Sequence, residues 1–159
     1  MNIQKILQYA LEREKEGKAF FVANAGRLQN AAAARAFHII AEEEQHHIDF
    51  ILAQLAHHSG QSASAPSLPP AGFFADRAEA ESISQTVTES MVADLPVLRL
   101  AYLIERDFSE FYAAAAAKAE GEAKQVLEML AKWESSHEKL FKRLHDEAFE
   151  KYADMPWGG

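Results

Sequence analysis

The chain carries one polar pattern twice. ALEREKEGKAFF at 10–21 lies over AYLIERDFSEFY at 101–112 with an offset of 91, so that Ala10, Glu14 and Phe20 meet Ala101, Glu105 and Phe111. FHIIAEEEQHHIDFI at 37–51 lies over LEMLAKWESSHEKLF at 127–141 with an offset of 90, so that Ala41, Glu44 and His47 meet Ala131, Glu134 and His137. The one-residue change of offset falls at short connections, where length differences are tolerated. Each half therefore reads as one helical hairpin. What recurs is a polar set: Glu14 with Glu44-x-x-His47, and Glu105 with Glu134-x-x-His137.

Apolar residues at three- and four-residue intervals predict helix A over about 3–25, with Gly26 as a stop, and helix B over about 31–58, with Asn30 as its N-cap. A crossover over about 59–96 follows. It begins with the helix-breaking SGQSASAPSLPPAG and contains a stretch, 77–91, with the pattern of a further short helix. Helix C is expected over about 97–119 and helix D over about 122–152, with Gly121 in the turn between them. The expectation is one domain over 1–159: an all-α four-helix bundle of two antiparallel hairpins joined by a long crossover.

On helix B, Glu44 and His47 share a stripe with Ile40 and Ile51, and on helix D, Glu134 and His137 share one with Leu130 and Phe141. Glu14 falls in line with Leu7, Ala10, Gly17 and Phe21, and Glu105 with Leu98, Ala101, Phe108 and Tyr112. Carboxylates facing a core are costly unless paired, and these stripes hold no Lys or Arg near the site. Cations must compensate: four ionised carboxylates and two neutral imidazoles are balanced by two divalent ions. Bundles with dinuclear carboxylate centres use one Glu from each of two helices and a Glu-x-x-His pair from each of the other two. Oxygen and imidazole ligands rank iron first among the two metal ions, with manganese or zinc as alternatives.

Composition removes other classes. The formal charge of −8, without a basic block, disfavours nucleic acid and anionic membranes as partners. There is no cysteine, hence no disulfide, thiolate zinc site or iron–sulfur cluster. Neither a signal peptide core nor an apolar run long enough to span a bilayer is visible, so the expectation is a cytoplasmic protein without membrane partners.

The motifs EREKEGKAFF, AEEEQHH, ERDFSEFY and KWESSH together resemble the rubrerythrin-like branch of the ferritin-like superfamily, over roughly residues 3–150. The resemblance implies a ferritin-like fold, with Glu14, Glu44, His47, Glu105, Glu134 and His137 as metal ligands. It also implies redox chemistry at a two-iron centre: iron(II) oxidation, or reduction of peroxide or dioxygen, in iron homeostasis or oxidative-stress defence. Two departures matter. Full rubrerythrins carry a cysteine-ligated rubredoxin domain, so here a separate protein must donate any electrons needed. They also place an extra Glu three residues after the third helix's ligand, where this chain has Phe108, which weighs against peroxidase activity of that kind. A non-catalytic metal-binding or metal-delivery module is the alternative. A homo-oligomer, a dimer first, is expected.

Neighbouring residues read more blandly. Glu42 and Glu43 are expected on a solvated face, and the rival pair Glu43 with His46 is rejected because its repeat partners are Trp133 and Ser136. His38, His57, His58 and His145 lack a matching repeat partner and are expected at surfaces or helix ends. Trp133 is expected in the core. Tyr112, seven residues after Glu105, is a candidate to hydrogen-bond a ligand carboxylate.

Overall fold

A computed structural model describes residues 2–60 and 89–156 of the chain. Among them there is no strand and there are four α-helices: α1 (Ile3–Ala25), α2 (Ala31–His58), α3 (Leu95–Ala116) and α4 (Gly121–Ala153). A short 3-10 helix, Glu89–Asp94, leads into α3. Helix α1 packs along α2 and α3 along α4, two hairpins that make a four-helix bundle. Gln4 Nε2 donates to the carbonyl of His58 at 2.7 Å, tying the start of α1 to the end of α2 as antiparallel packing requires.

Local signals set the ends. Asn30 caps α2, its side chain accepting the Ala33 N–H at 3.0 Å. Gly26 closes α1 at φ −74°, an ordinary right-handed conformation, so its position ends the helix without using its conformational freedom. Gly121 opens α4 at φ +58°, a backbone that side-chain-bearing residues rarely adopt, and this permits the tight α3–α4 turn. Helix α3 starts at Leu95, two residues before the expected 97, because Pro96 falls in its first turn, where a missing N–H costs nothing. Of the expected short helix at 77–91, residues 77–88 lie outside the described residues, as do positions 61–72 of the expected loop; residues 89–91 belong to the 3-10 helix.

The core divides into two apolar clusters, one on each side of a polar layer. One centres on Phe21, Phe37 and Phe141, whose ring centroids are 5.2–5.3 Å apart, with Ile40, Leu98 and Leu144. The other gathers Leu7, Ile51, Tyr112, Leu127, Leu130 and Trp133.

Asp94 joins the hairpins at the aromatic end. Buried to 2% exposure, its carboxylate accepts the backbone N–H groups of Gln29 at 2.7 Å and Asn30 at 2.9 Å. Hydrogen bonds from amides to a charged acceptor are strong, and a lost buried acceptor leaves its donors unsatisfied. Asp94→Ala is expected to destabilise the fold by about 2–4 kcal/mol, read by urea unfolding, with Asp94→Asn losing less because it keeps one acceptor oxygen.

Candidate metal centre

The polar layer is built from the four stripes of the repeat. Leu7, Ala10, Glu14, Gly17 and Phe21 are buried along α1, and Ile40, Glu44, His47 and Ile51 along α2. Leu98, Ala101, Glu105, Phe108 and Tyr112 are buried along α3, and Leu130, Glu134, His137 and Phe141 along α4. Glu14, Glu44, His47, Glu105, Glu134 and His137 are all at 0% exposure, and they converge. Helical periodicity delivers them: each lies three or four residues from an apolar neighbour whose burial fixes the face.

The two imidazoles are arranged almost equivalently. His47 Nδ1 lies 2.8 Å from Glu134 Oε1, 3.3 Å from Glu14 Oε2 and 3.7 Å from Glu44 Oε1. His137 Nδ1 lies 3.2 Å from Glu44 Oε1, 3.5 Å from Glu105 Oε2 and 3.7 Å from Glu134 Oε2. Each ring thus sits nearest a carboxylate of the opposite hairpin. The rings stack with centroids 5.3 Å apart.

Two overlapping groups result: Glu14, Glu44, His47 and Glu134, and Glu44, Glu105, Glu134 and His137. Within each group, one donor atom per residue lies within 4.8 Å of all the others, a spacing that could hold a metal ion. Glu44 and Glu134 belong to both, which is the arrangement of carboxylates that bridge two ions. Both oxygens of Glu44, Glu105 and Glu134 are buried, six oxygens with two imidazoles to share among them. Such oxygens need a cation or protons, and a set of carboxylates with imidazole suits iron or manganese. The residues fit a metal pair.

The surroundings are unequal on the two sides. The Tyr112 hydroxyl donates a hydrogen bond to Glu14 Oε1, which fixes that carboxylate and leaves Oε2 facing His47. The position equivalent to Tyr112 is Phe21, which stacks on Phe141 instead. Trp133, 2% exposed, stacks on His47 at 4.7 Å between centroids and meets Phe50 edge-on at 5.5 Å. Phe108 is 5% exposed and leans on Gly17, where a Cβ would come within 2.9 Å of Phe108 Cε2 and 3.5 Å of Glu44 Oε2. Both aromatics wall the cluster from water.

Sequence reasoning missed the contacts of Trp133 and Gly17. The signals were present: Trp133 precedes His137 by one helical turn, and a glycine inside a helix, three residues after Glu14, marks a close approach. One expectation is corrected. Glu42 is exposed, but Glu43 is fully buried, because α2 buries a face wide enough to include Ala32, Ala36, Ile39 and Glu43 beside the Glu44 stripe. Neither Glu43 nor the exposed His46 belongs to the two groups. His38 is exposed, and His57, His58 and His145 are half-buried.

Without metal, burial and mutual charge move the cluster's groups away from their ordinary titration ranges. Burial, then Glu134 and Glu44, push Glu14 well above the usual carboxylate range; burial and Glu44 do the same to Glu105. Burial alone would lower His47 and His137, but facing carboxylates, Glu134 for the first and Glu105 for the second, raise both well above the usual histidine range. Burial opposes ionisation of Glu134, yet His47 and the neighbouring hydrogen bonds hold it below the usual carboxylate range. A raised pKa extends the pH range over which a group holds its proton, and a metal must displace any proton held there. Affinity should therefore rise with pH, about tenfold per unit for each proton released, and calorimetry in buffers of different ionisation enthalpy should register that release.

A bundle of two antiparallel hairpins whose helices bring Glu, Glu-x-x-His, Glu and Glu-x-x-His to one buried layer is a bundle of the ferritin-like class. The family model described as Rubrerythrin matches residues 5–145, and the chain belongs to that family. No curated protein and no solved structure matches it.

Proposed function

We propose that this chain holds two iron ions on Glu14, Glu44, His47, Glu105, Glu134 and His137 and carries out redox chemistry there, as an iron(II) oxidase or a reductase of peroxide or dioxygen. The observation that carries the reading is the pair of overlapping donor groups sharing Glu44 and Glu134. A bound iron(II) pair supplies two electrons, enough to convert one hydrogen peroxide and two protons into two waters.

The residues have separate tasks in this reading. Glu44 and Glu134 would be ligands to both ions, with Glu14 and His47 holding one and Glu105 and His137 the other. Tyr112 orients Glu14 through its hydroxyl. Trp133 and Phe108 exclude water, so that charge at the cluster is weakly screened. These 159 residues hold no cysteine, so electrons for repeated turnover come from a centre outside them.

The test is anaerobic loading with iron(II) followed by rapid mixing with hydrogen peroxide or dioxygen, watching iron(III) absorbance. Oxidation faster than in a Glu44→Ala/Glu134→Ala variant supports the proposal. Two tightly bound iron(II) ions that neither oxidant touches would overturn it in favour of a metal-delivery module, a role that the packing of Phe108 against Gly17 beside Glu44 also suits.

A further inference from the structure

The two ends of the bundle differ in how they treat buried polar groups. At the aromatic end, the buried polar side chains Asn30 and Asp94 are both hydrogen-bonded to backbone amides. At the opposite end, Gln54 is at 0% exposure and neither Oε1 nor Nε2 has a hydrogen-bond partner among the described residues. Gln54 lies seven residues beyond His47 on the same face of α2, about 10 Å along the axis. The equivalent position in the second hairpin, at the offset of 90, is Leu144, buried at 4% exposure. Leu144 belongs to the aromatic-end cluster, and the amide breaks the repeat.

Three and four residues further along α2 stand His57 and His58, whose Nδ1 and Nε2 respectively are also buried without a partner. His57 Nε2 lies 3.6 Å from Glu122 Oε1 in the first turn of α4, and Gln4 reaches the His58 carbonyl. Polar groups therefore recur along α2 from His47 through Gln54 to the rim, beside the apolar cluster of Leu7, Ile51, Leu127 and Trp133, whereas Phe21, Phe37 and Phe141 fill the other end. An amide buried with no partner is costly, and a guest the size of water removes that cost. With two N–H donors and one carbonyl acceptor, the amide can pair with both the lone pairs and the O–H of a small neutral guest.

We propose that Gln54 is a binding station for small neutral hydrogen-bonding molecules, water or hydrogen peroxide, on an access path from the α2 C-terminal end to the Glu/His cluster. The use of the path by peroxide rests on the redox reading above; the station itself does not. Metal ions and their chemistry need not pass this way.

Two arms test it. In the metal-free, isotope-labelled protein, NMR should show magnetisation transfer between water and the Gln54 side-chain amide; no transfer would overturn the station. For the second arm, Gln54→Leu and Gln54→Met are loaded anaerobically with iron(II) and mixed with peroxide. Both should still bind two ions but oxidise them about fivefold more slowly or worse, the size expected from losing one hydrogen bond, while Phe37→Leu at the aromatic end keeps the wild-type rate. Methionine serves where leucine fails to fold, being unbranched and close in length to glutamine. Variants that bind two ions and react at the wild-type rate would overturn the path. A wild-type protein that binds iron yet ignores peroxide would instead sink the redox reading, and the water arm would still decide the station.

Discussion

Replacing Glu44 or Glu134 by Ala should abolish binding at both metal positions, whereas replacing Glu14 or Glu105 should remove only one. The difference follows from membership: the first two residues belong to both donor groups and the second two to one each. Losing a direct ligand should weaken a site by at least about 100-fold, more than the loss of an outer hydrogen-bond partner. Anaerobic titration with iron(II), or with cobalt(II) as an optical reporter, would then read two ions in the wild type, none in the shared-residue variants and one in the others. Equal losses in all four variants would mean that no carboxylate is shared. In the metal-free fold Glu134→Ala should be the most destabilising of the four, since it takes from His47 its nearest carboxylate, at 2.8 Å, and leaves a buried imidazole without that partner.

The second large effect is on stability. Metal that binds only the folded chain stabilises it by about 2.7 kcal/mol per site at 100 times the dissociation constant. Two sites contribute about 5 kcal/mol, which for a chain of this size raises Tm by about 10–20 °C. Thermal unfolding with and without iron(II) under anaerobic conditions measures it. The Glu44→Ala/Glu134→Ala variant should melt at one temperature in both conditions; a metal-induced rise that survives in it would place the stabilising ion elsewhere.

Much of this was legible in the sequence because two periodicities coincide. The helical repeat assigns each residue a face, and the 90-residue repeat then separates Glu44 and His47, which recur, from Glu43 and His46, which do not. The sharing of Glu44 and Glu134 was not legible, since it depends on how far apart the hairpins stand. Each imidazole lies closer to the opposite hairpin's glutamate than to the one on its own helix, a relation no spacing within a helix can express. The burial of Glu43 was hidden for a related reason: a charge run signals a solvated face only when the helix buries a narrow stripe, and α2 buries a wide one. The tie made by Asp94 was not legible, because its partners, Gln29 and Asn30, are more than sixty residues away.

The central claim is a pair of metal ions bridged by Glu44 and Glu134. Anomalous X-ray scattering from a crystal of iron-loaded protein tests it most directly. Two peaks are expected between those carboxylates, one beside His47 Nδ1 and the other beside His137 Nδ1. A single peak, or peaks that lie away from Glu44 and Glu134, would contradict it.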